Sequence, residues 1–444
     1  MKILLVEPNY YTQYPPLGLL KLSTLYKQQG HEVRFQRGLS LITRWVPDEV
    51  KVTSLFTWAW KPVWEAVAFY KALFPKAKVS LGGIYASLTP EHARQSGAHE
   101  VVTGLISEAE DLMPDYSLVP EWADRERAAS VLFSHRGCIR SCKFCAVPAL
   151  EGKPFQARAT TRVKHLIHPN HKRVILWDNN ILGESAWREV LDELRELNME
   201  VDFNQGLDAR LVTPEVAEAL KTIKLPTIRL AYDFPAMQGA VKNAVRLLRA
   251  AGLTNRRYRH ICCYVLYNYK DTPADLFMRV RDLLAWGVSA YPMRYQPLNG
   301  EQAFEKDSYI APTWTFEELE MVAAARRVIG YGGAFPPYEG LFNKFRDAKN
   351  FQEAFELRPR QESGDIELAY PRPKKVKSTG DGFELREFAW DLIEMGKDHQ
   401  FPVPIPDNLV QIQGRTKKPI KPPVRRSVQK TVGESRKARK IATA

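Results

Sequence analysis

Cys138, Cys142 and Cys145 lie in the stretch SHRGCIRSCKFCAVPALEG, residues 134 to 152, spaced Cys-x3-Cys-x2-Cys. Three thiols this close on one segment are a ligand set for a soft metal centre. A structural zinc site calls for four closed ligands, usually two pairs parted by a longer loop. This chain offers one run of three with no second pair nearby, and His135, three residues before Cys138, is the nearest candidate fourth ligand. A cubane [4Fe-4S] cluster has four irons, so three loop thiolates would hold three of them and leave one open to a substrate or cofactor. Zinc and iron-sulfur chemistry both remain open on spacing alone.

The other two cysteines, Cys262 and Cys263, are adjacent in an apolar run, where strand alternation turns one to each face as small apolar fillers. Five cysteines in 444 residues, three of them clustered, make no disulfide framework and point to a reducing compartment. No signal peptide and no apolar run of about 18 residues is present, so the chain reads as soluble and cytoplasmic, without a membrane partner. The formal charge of +13 is uneven: residues 415–444 hold eleven Lys and Arg against one acid, Glu434, and the other 414 carry 53 bases and 50 acids. Such a Pro-, Lys- and Arg-rich tail buries too little to order itself, and it attracts polyanions such as nucleic acid by counterion release.

The elements that must position these residues alternate strand and helix. With 45% hydrophobic residues the chain can fill two or three domain cores. KILLVEP is an unalternating strand of the kind covered on both faces, followed by the helix PLGLLKLSTLYKQQG with Gly30 as its stop. HEVRF, KVTSLFTW and KVSLGG continue the strands, and Thr89 with Pro90 starts a further helix. This predicts a doubly wound α/β domain over residues 1–120, with its ligand crevice at Pro8 to Pro16, Thr57 to Trp60 and Gly82 to Ser87. Gly82 and Gly83 serve either that crevice or a simple turn. A second series, SVLFSH, RVILWDNN, EVDFNQGLDA, TIRLAYDF, HICCYVLYNY and AYPMRYQPL, has connections long enough for crossover helices, one capped by Thr213 with Pro214. It predicts six parallel strands curled into a partial barrel over residues 121–335. A capping-box helix begins at Thr315 with Glu318, an accessory region covers 336–410, and the disordered tail covers 411–444. YGGAFPPYEGLFNKF fits no element by pattern.

Cys138, Cys142 and Cys145, with Phe144 before the third, resemble the signature of radical S-adenosylmethionine (SAM) enzymes, placed after the first strand of the second series. Upstream, PPLGLLKLSTLYKQQGHEV, GGIYAS, VVTGLISEAE and MPDYSLVP look like the cobalamin-binding-like domain of one subgroup, and AVPALEG looks like the sequence after the cluster in methylthiotransferase-type members. The resemblance implies an α/β fold: a Rossmann-like domain, then a partial (β/α)6 barrel. It implies a [4Fe-4S] cluster on the three cysteines, SAM on the open iron, and a reductase such as flavodoxin or ferredoxin as electron donor. Reductive cleavage of SAM would yield methionine and a 5'-deoxyadenosyl radical that takes a hydrogen atom from the substrate.

Further contacts are expected at the carboxyl ends of the barrel strands. Asp178, Asn179 and Asn180 stand where family members bind the SAM amino group, although the family often shows glycines and a glutamate there; the same three residues suit a helix cap. Gln205, Asp208 and Arg210 follow the third strand, with Arg210 set either to grip the methionine carboxylate or to pair with Asp208. Asp233 is a candidate for ribose or adenine contact, as are Tyr267 and Asn268, whose strand ends without the family's frequent glycine. Arg294 and Gln296 share a strand face toward substrate, and Arg136 and Arg140 flank the cluster. Cobalamin is an open cofactor expectation: no Asp-x-His occurs in the chain, and Trp58 and Trp60 are placed to cover a corrin or to fill space. The missing second cysteine cluster argues against sulfur donation. B12-dependent methylation and RNA modification are the reactions weighed, against a zinc-clipped nucleic-acid binder that uses the basic tail.

Overall fold

The computed structural model describes residues 1–357 except 43, 124–127, 156, 157, 159 and 254–259. The basic tail and most of the expected accessory region lie outside the described residues. The first sheet holds β1 (Lys2–Glu7), β2 (Glu32–Arg37), β3 (Glu49–Val52), β4 (Lys78–Leu81) and β5 (Glu100–Val101), all parallel in the order β2-β1-β3-β4-β5. As its unbroken apolar run predicts, β1 is covered on both faces. Leu4 and Val6 pack with Val63, Val67 and Tyr70 of α2 (Trp60–Leu73), and Ile3 and Leu5 pack with Leu19 of α1 (Leu17–Gln28). Gly30 follows α1 at φ +80°, the left-handed stop expected of it. Short helices complete the domain: α3 (Ile84–Leu88), α4 (Pro90–Arg94), α5 (Ser107–Glu110) and α6 (Pro120–Ala123). Pro90 does open α4, but the Thr89 hydroxyl turns back to donate to the Tyr85 carbonyl at 3.1 Å instead of capping.

The second series forms two three-stranded parallel sheets. One is β6 (Ala129–Leu132), β7 (Arg173–Leu176) and β8 (Glu200–Phe203); the other is β9 (Thr227–Ala231), β10 (His260–Tyr267) and β11 (Ser289–Arg294). Parallel bridges Glu200↔Lys224 and Leu207↔Leu230 join them, so the six strands run in chain order. The cysteine-bearing loop contains α7 (Val147–Leu150); α8 (Trp187–Glu196), α9 (Pro214–Lys221), α10 (Gln238–Ala250) and α11 (Pro273–Ala285) connect later strands, and α12 (Phe316–Val328), α13 (Glu339–Asp347) and α14 (Phe351–Phe355) follow. Thr213 and Thr315 cap their helices as expected, and Thr272 with Asp275 forms a further capping box.

Strand alternation divides the packing. Leu132, Val174, Val201, Phe203, Ile228 and Cys263 join the large core built with the helices. On the opposite face Ala129, Val131 and Ile175 pack against Leu17 and Leu20 of α1, Tyr116, and Trp122 of α6. Asp202 and Arg229 pair on that opposite face, with Arg173 Nη2 donating to Asp202 at 3.0 Å. Cys262 and Cys263 are both fully buried in different cores, as alternation requires. The unassigned YGGAFPP stretch pairs with β11: Ala290 and Phe335 exchange backbone hydrogen bonds at 3.0 and 2.7 Å. Its turn needs glycine at Gly333, which takes φ +81° and where a Cβ would meet Arg326 Nη2 at 2.8 Å. Among the described residues no helix is long and apolar enough to cross a membrane.

Candidate cofactor site

The three cysteines stand on the loop that leaves β6. Its exit is braced by Asp178, just past β7, whose buried carboxylate accepts from the backbone N–H of Ser134 at 3.0 Å, that of His135 at 2.8 Å, and the Ser134 hydroxyl. The Asp178 side chain is thereby spent on strand-end geometry. His135 Nδ1 meets the Ser134 hydroxyl at 3.0 Å. Cys138, Cys142 and Cys145 are free thiols, each half-buried. Two of the sulfurs accept N–H groups, Cys138 from Arg140 at 3.4 Å and Cys145 from Val147 at 3.5 Å, and Cys145 N–H closes a turn on the Cys142 carbonyl at 3.1 Å. Burial raises the Cys142 and Cys145 thiol pKa values, with Asp233 adding to the rise at Cys142. An electropositive metal centre would reverse that, since coordination deprotonates a thiol outright.

Among the described residues no three His, Cys, Asp or Glu side chains close around a point where one ion would sit. Three thiols on one loop are donors of the kind that soft metals and iron-sulfur groups take.

The expected neighbours gather around this loop. Asp208 accepts from Arg140 Nε at 2.9 Å, from Arg210 Nε and Nη2 at 2.7 and 2.9 Å, and from Asn180 Nδ2 at 3.4 Å. Burial would raise its carboxyl pKa, but the two arginines outweigh it and hold the group below its ordinary range. Arg210 is therefore paired with Asp208, as one of the two sequence readings had it, and Arg140 ties the cysteine loop to the same carboxylate. Asn180 is buried, and its Oδ1 has no partner among the described residues. Asn179 donates to Glu151 at 2.9 Å and to the Gly137 carbonyl at 3.4 Å. Phe144 packs edge-on to Phe234 and Tyr269, each 5.7 Å away, so the loops after β6, β9 and β10 meet in an aromatic lining. Asp233 lies close enough to act on Cys142, and burial lifts its own carboxyl to about 6 against the pull of Arg279. Gln205 is exposed in the turn that Gly206 closes on Phe203.

Arg294 and Gln296 are occupied elsewhere than their shared strand face suggests. Arg294 Nη2 donates to the carbonyls of Asp307 and Tyr309 at 2.6 and 3.2 Å, and Gln296 Nε2 donates to that of Gln302 at 2.8 Å. Both hold the loop after β11. Asn268 takes φ +63° and clasps the same loop through the Tyr309 carbonyl at 2.9 Å and the Ala311 N–H at 2.8 Å. Asparagine is the side chain that best tolerates this conformation. Tyr267 is buried against Trp314.

A cavity of about 350 Å³ opens between the carboxyl ends of the first sheet and the cysteine loop, lined by Tyr10, Tyr14, Leu17, Gly82, Phe133 and Trp177 among others. Two of the three expected crevice segments form it. The third does not: Trp58 stacks on Phe56 at 4.4 Å beneath Lys306, and Trp60 donates to the Phe304 carbonyl at 3.1 Å. Gly83, at φ +101°, lets the backbone pass Ser54, whose carbonyl a Cβ would meet at 2.2 Å. Sequence reasoning missed two acids here. Glu184 is buried, and burial together with Asp178 raises it to about 7. Glu151 bonds the cysteine loop directly. Glu151 lies within the AVPALEG run, which assigned it no role, and Glu184 belongs to no spacing pattern.

No family profile and no curated protein matches the chain. Solved structures do resemble it. One is the cobalamin-dependent S-adenosylmethionine radical enzyme OxsB with aqua-cobalamin and S-adenosylmethionine bound, at 14% identity and TM-score 0.45, covering 68% of this chain and 54% of that one. Another is coproporphyrinogen III oxidase (HemN) from Escherichia coli, a radical SAM enzyme, at 14% identity and TM-score 0.32, covering 55% of this chain and 64% of that one. Both are enzymes of the superfamily that the cysteine spacing resembles. This chain thus matches about half to two thirds of their lengths, and likeness this loose assigns no activity.

Proposed function

We propose that the protein is a radical SAM enzyme whose cluster is held by Cys138, Cys142 and Cys145. One observation carries the reading: three free thiols on the loop after β6 face the strand ends that bring Asn180, Asp208, Arg210 and Asp233 together. The chemistry supplied by a bound [4Fe-4S] group would be reductive cleavage of the sulfonium carbon bond of SAM. The chain's own part is positioning. Asn180 Oδ1, a buried acceptor without a donor among the described residues, is suited to the SAM ammonium. Asp208 holds Arg140 and Arg210 on one carboxylate, so the loop and the β8 exit keep a fixed spacing. Phe144, Phe234 and Tyr269 keep water from the reacting centre.

In this reading the six strands form a partial barrel over 121–335, behind a cobalamin-binding-like domain over 1–120. Cobalamin is the cofactor that the resemblance implies at this crevice, although the 350 Å³ cavity is smaller than a whole corrinoid and would take only part of one. Incubation with hydroxocobalamin, desalting and a visible spectrum test it; colourless protein removes cobalamin from the account. The reaction class, methylation or RNA modification included, is read from products after SAM cleavage. Nothing in the described residues favours the zinc-clipped nucleic-acid binder, which metal analysis distinguishes. Replacing Cys142 by Ala in anaerobically reconstituted protein should abolish 5'-deoxyadenosine formation. Wild-type yields in that variant contradict the ligand assignment.

A further inference from the structure

Glu151, at the end of α7, divides its carboxylate among three donors. Gly137 N–H reaches Oε2 at 2.7 Å, Asn179 Nδ2 reaches it at 2.9 Å, and Arg136 Nη1 reaches Oε1 at 3.1 Å. Arg136 is buried, with its guanidinium carbon 3.5 Å from the Phe133 ring centre. Its other edge is gripped by Glu110 of the first domain, Nε to Oε2 at 2.9 Å and Nη2 to Oε1 at 3.0 Å. Lys21 of α1 donates to the Glu110 carbonyl at 2.7 Å and closes the chain of contacts.

The backbone follows the same path. Arg136 and Phe155 exchange hydrogen bonds at 3.3 and 3.0 Å, and Cys138 N–H donates to the Gly152 carbonyl at 3.1 Å. The chain entering the motif is thus pinned on the chain leaving it. Gly137 sits at φ +80° where a Cβ would meet the Lys153 carbonyl at 2.2 Å, so the approach leaves no slack. A two-carboxylate grip on one planar guanidinium fixes orientation as well as distance.

We propose that Glu151 is the positioning residue of the cysteine loop: it holds Gly137, and with it the backbone of Cys138, through Arg136 to Glu110 and Lys21 of the first domain. The first domain thereby braces the ligand loop. The consequence for iron rests on the cluster reading above; the restraint on the loop does not.

The test uses the full chain as wild type, Glu151→Ala, Glu151→Gln and Arg136→Lys, with Arg188→Ala, from an exposed pair with Glu215, as control. Amide hydrogen exchange is measured on metal-free protein, then iron release to a chelator after anaerobic reconstitution. In Glu151→Ala the 134–145 peptide should exchange about tenfold faster or more while β1 and α11 peptides keep wild-type rates, and iron should leave about 10–100-fold faster, the usual scale for losing a ligand's outer support. Glu151→Gln, retaining one acceptor oxygen, and Arg136→Lys, retaining charge without the fork, should fall between. Unchanged loop exchange in Glu151→Ala overturns the proposal. Should that variant unfold, as faster β1 and α11 exchange would show, wild-type loop exchange in both milder variants overturns it. Faster loop exchange in a protein whose wild type takes up no iron upholds the brace and rejects the cluster.

Discussion

Asp208 and Glu184 show how two carboxylates near one loop are put to opposite uses. Asp208 faces two guanidiniums and stays ionised, so Asp208→Asn leaves Arg140 and Arg210 without their shared anion. We expect a loss of about 1–2 kcal/mol in urea unfolding, modest because both arginines reach solvent, together with a raised KM for SAM. Glu184 is buried without such a partner and is lifted to about 7. A carboxyl whose folded pKa exceeds its unfolded one leaves stability untouched below about 4.5 and lowers it as pH rises toward 7, because the folded state then holds the proton that the unfolded state releases. Glu184→Gln should therefore gain on the order of 3 kcal/mol over wild type at pH 8 and almost nothing at pH 4. Equal differences at both pH values contradict that assignment. The sequence pointed to Cys138, Cys142, Cys145, Asp208 and Arg210 because each belongs to a spacing or strand-end pattern. Glu184 belongs to none, and the AVPALEG run that contains Glu151 assigned it no partner, since only the folded loop brings Gly137 to Glu151 and Asp178 to Glu184.

The strand ends owe their arrangement to the loop after β11. Arg294, Gln296 and Asn268 all hold it, and Trp60 and His92 meet it from the first domain, the His92 ring stacking on Phe304 at 3.7 Å. Asn268 carries both a left-handed backbone and two hydrogen bonds to that loop. Asn268→Val should cost roughly 2–4 kcal/mol by thermal or urea unfolding, combining backbone strain with two lost bonds. Asn268→Gly relieves the strain and should cost less. A larger loss for glycine than for valine would show that the backbone conformation is unimportant. Helix starts such as Thr213 and Thr315 were legible because capping is local chemistry. The role of YGGAFPP was not, because pairing between Ala290 and Phe335 depends on a neighbour 45 residues away.

At the scale of the molecule, two parallel α/β layers share a core. Leu17 and Leu20 of α1, with Tyr116 and Trp122, cover Ala129, Val131 and Ile175 on the face of the strands away from their helices. The unalternating run of β1 and the crossover-length connections of the second series announced parallel strands. They gave no sign of this interdomain core, nor of the Asp202–Arg229 pair, because isolated charges in short strands resemble solvent-facing positions until a second domain covers them. All the same, the proposed function rests on three sulfurs, those of Cys138, Cys142 and Cys145. Electron paramagnetic resonance of anaerobically reconstituted, dithionite-reduced protein, recorded with and without SAM, tests this most directly. The account predicts a reduced [4Fe-4S] signal that shifts when SAM binds the open iron and is lost in the Cys138→Ala variant. A protein that retains zinc or no metal, or a signal indifferent to both SAM and Cys138, contradicts it.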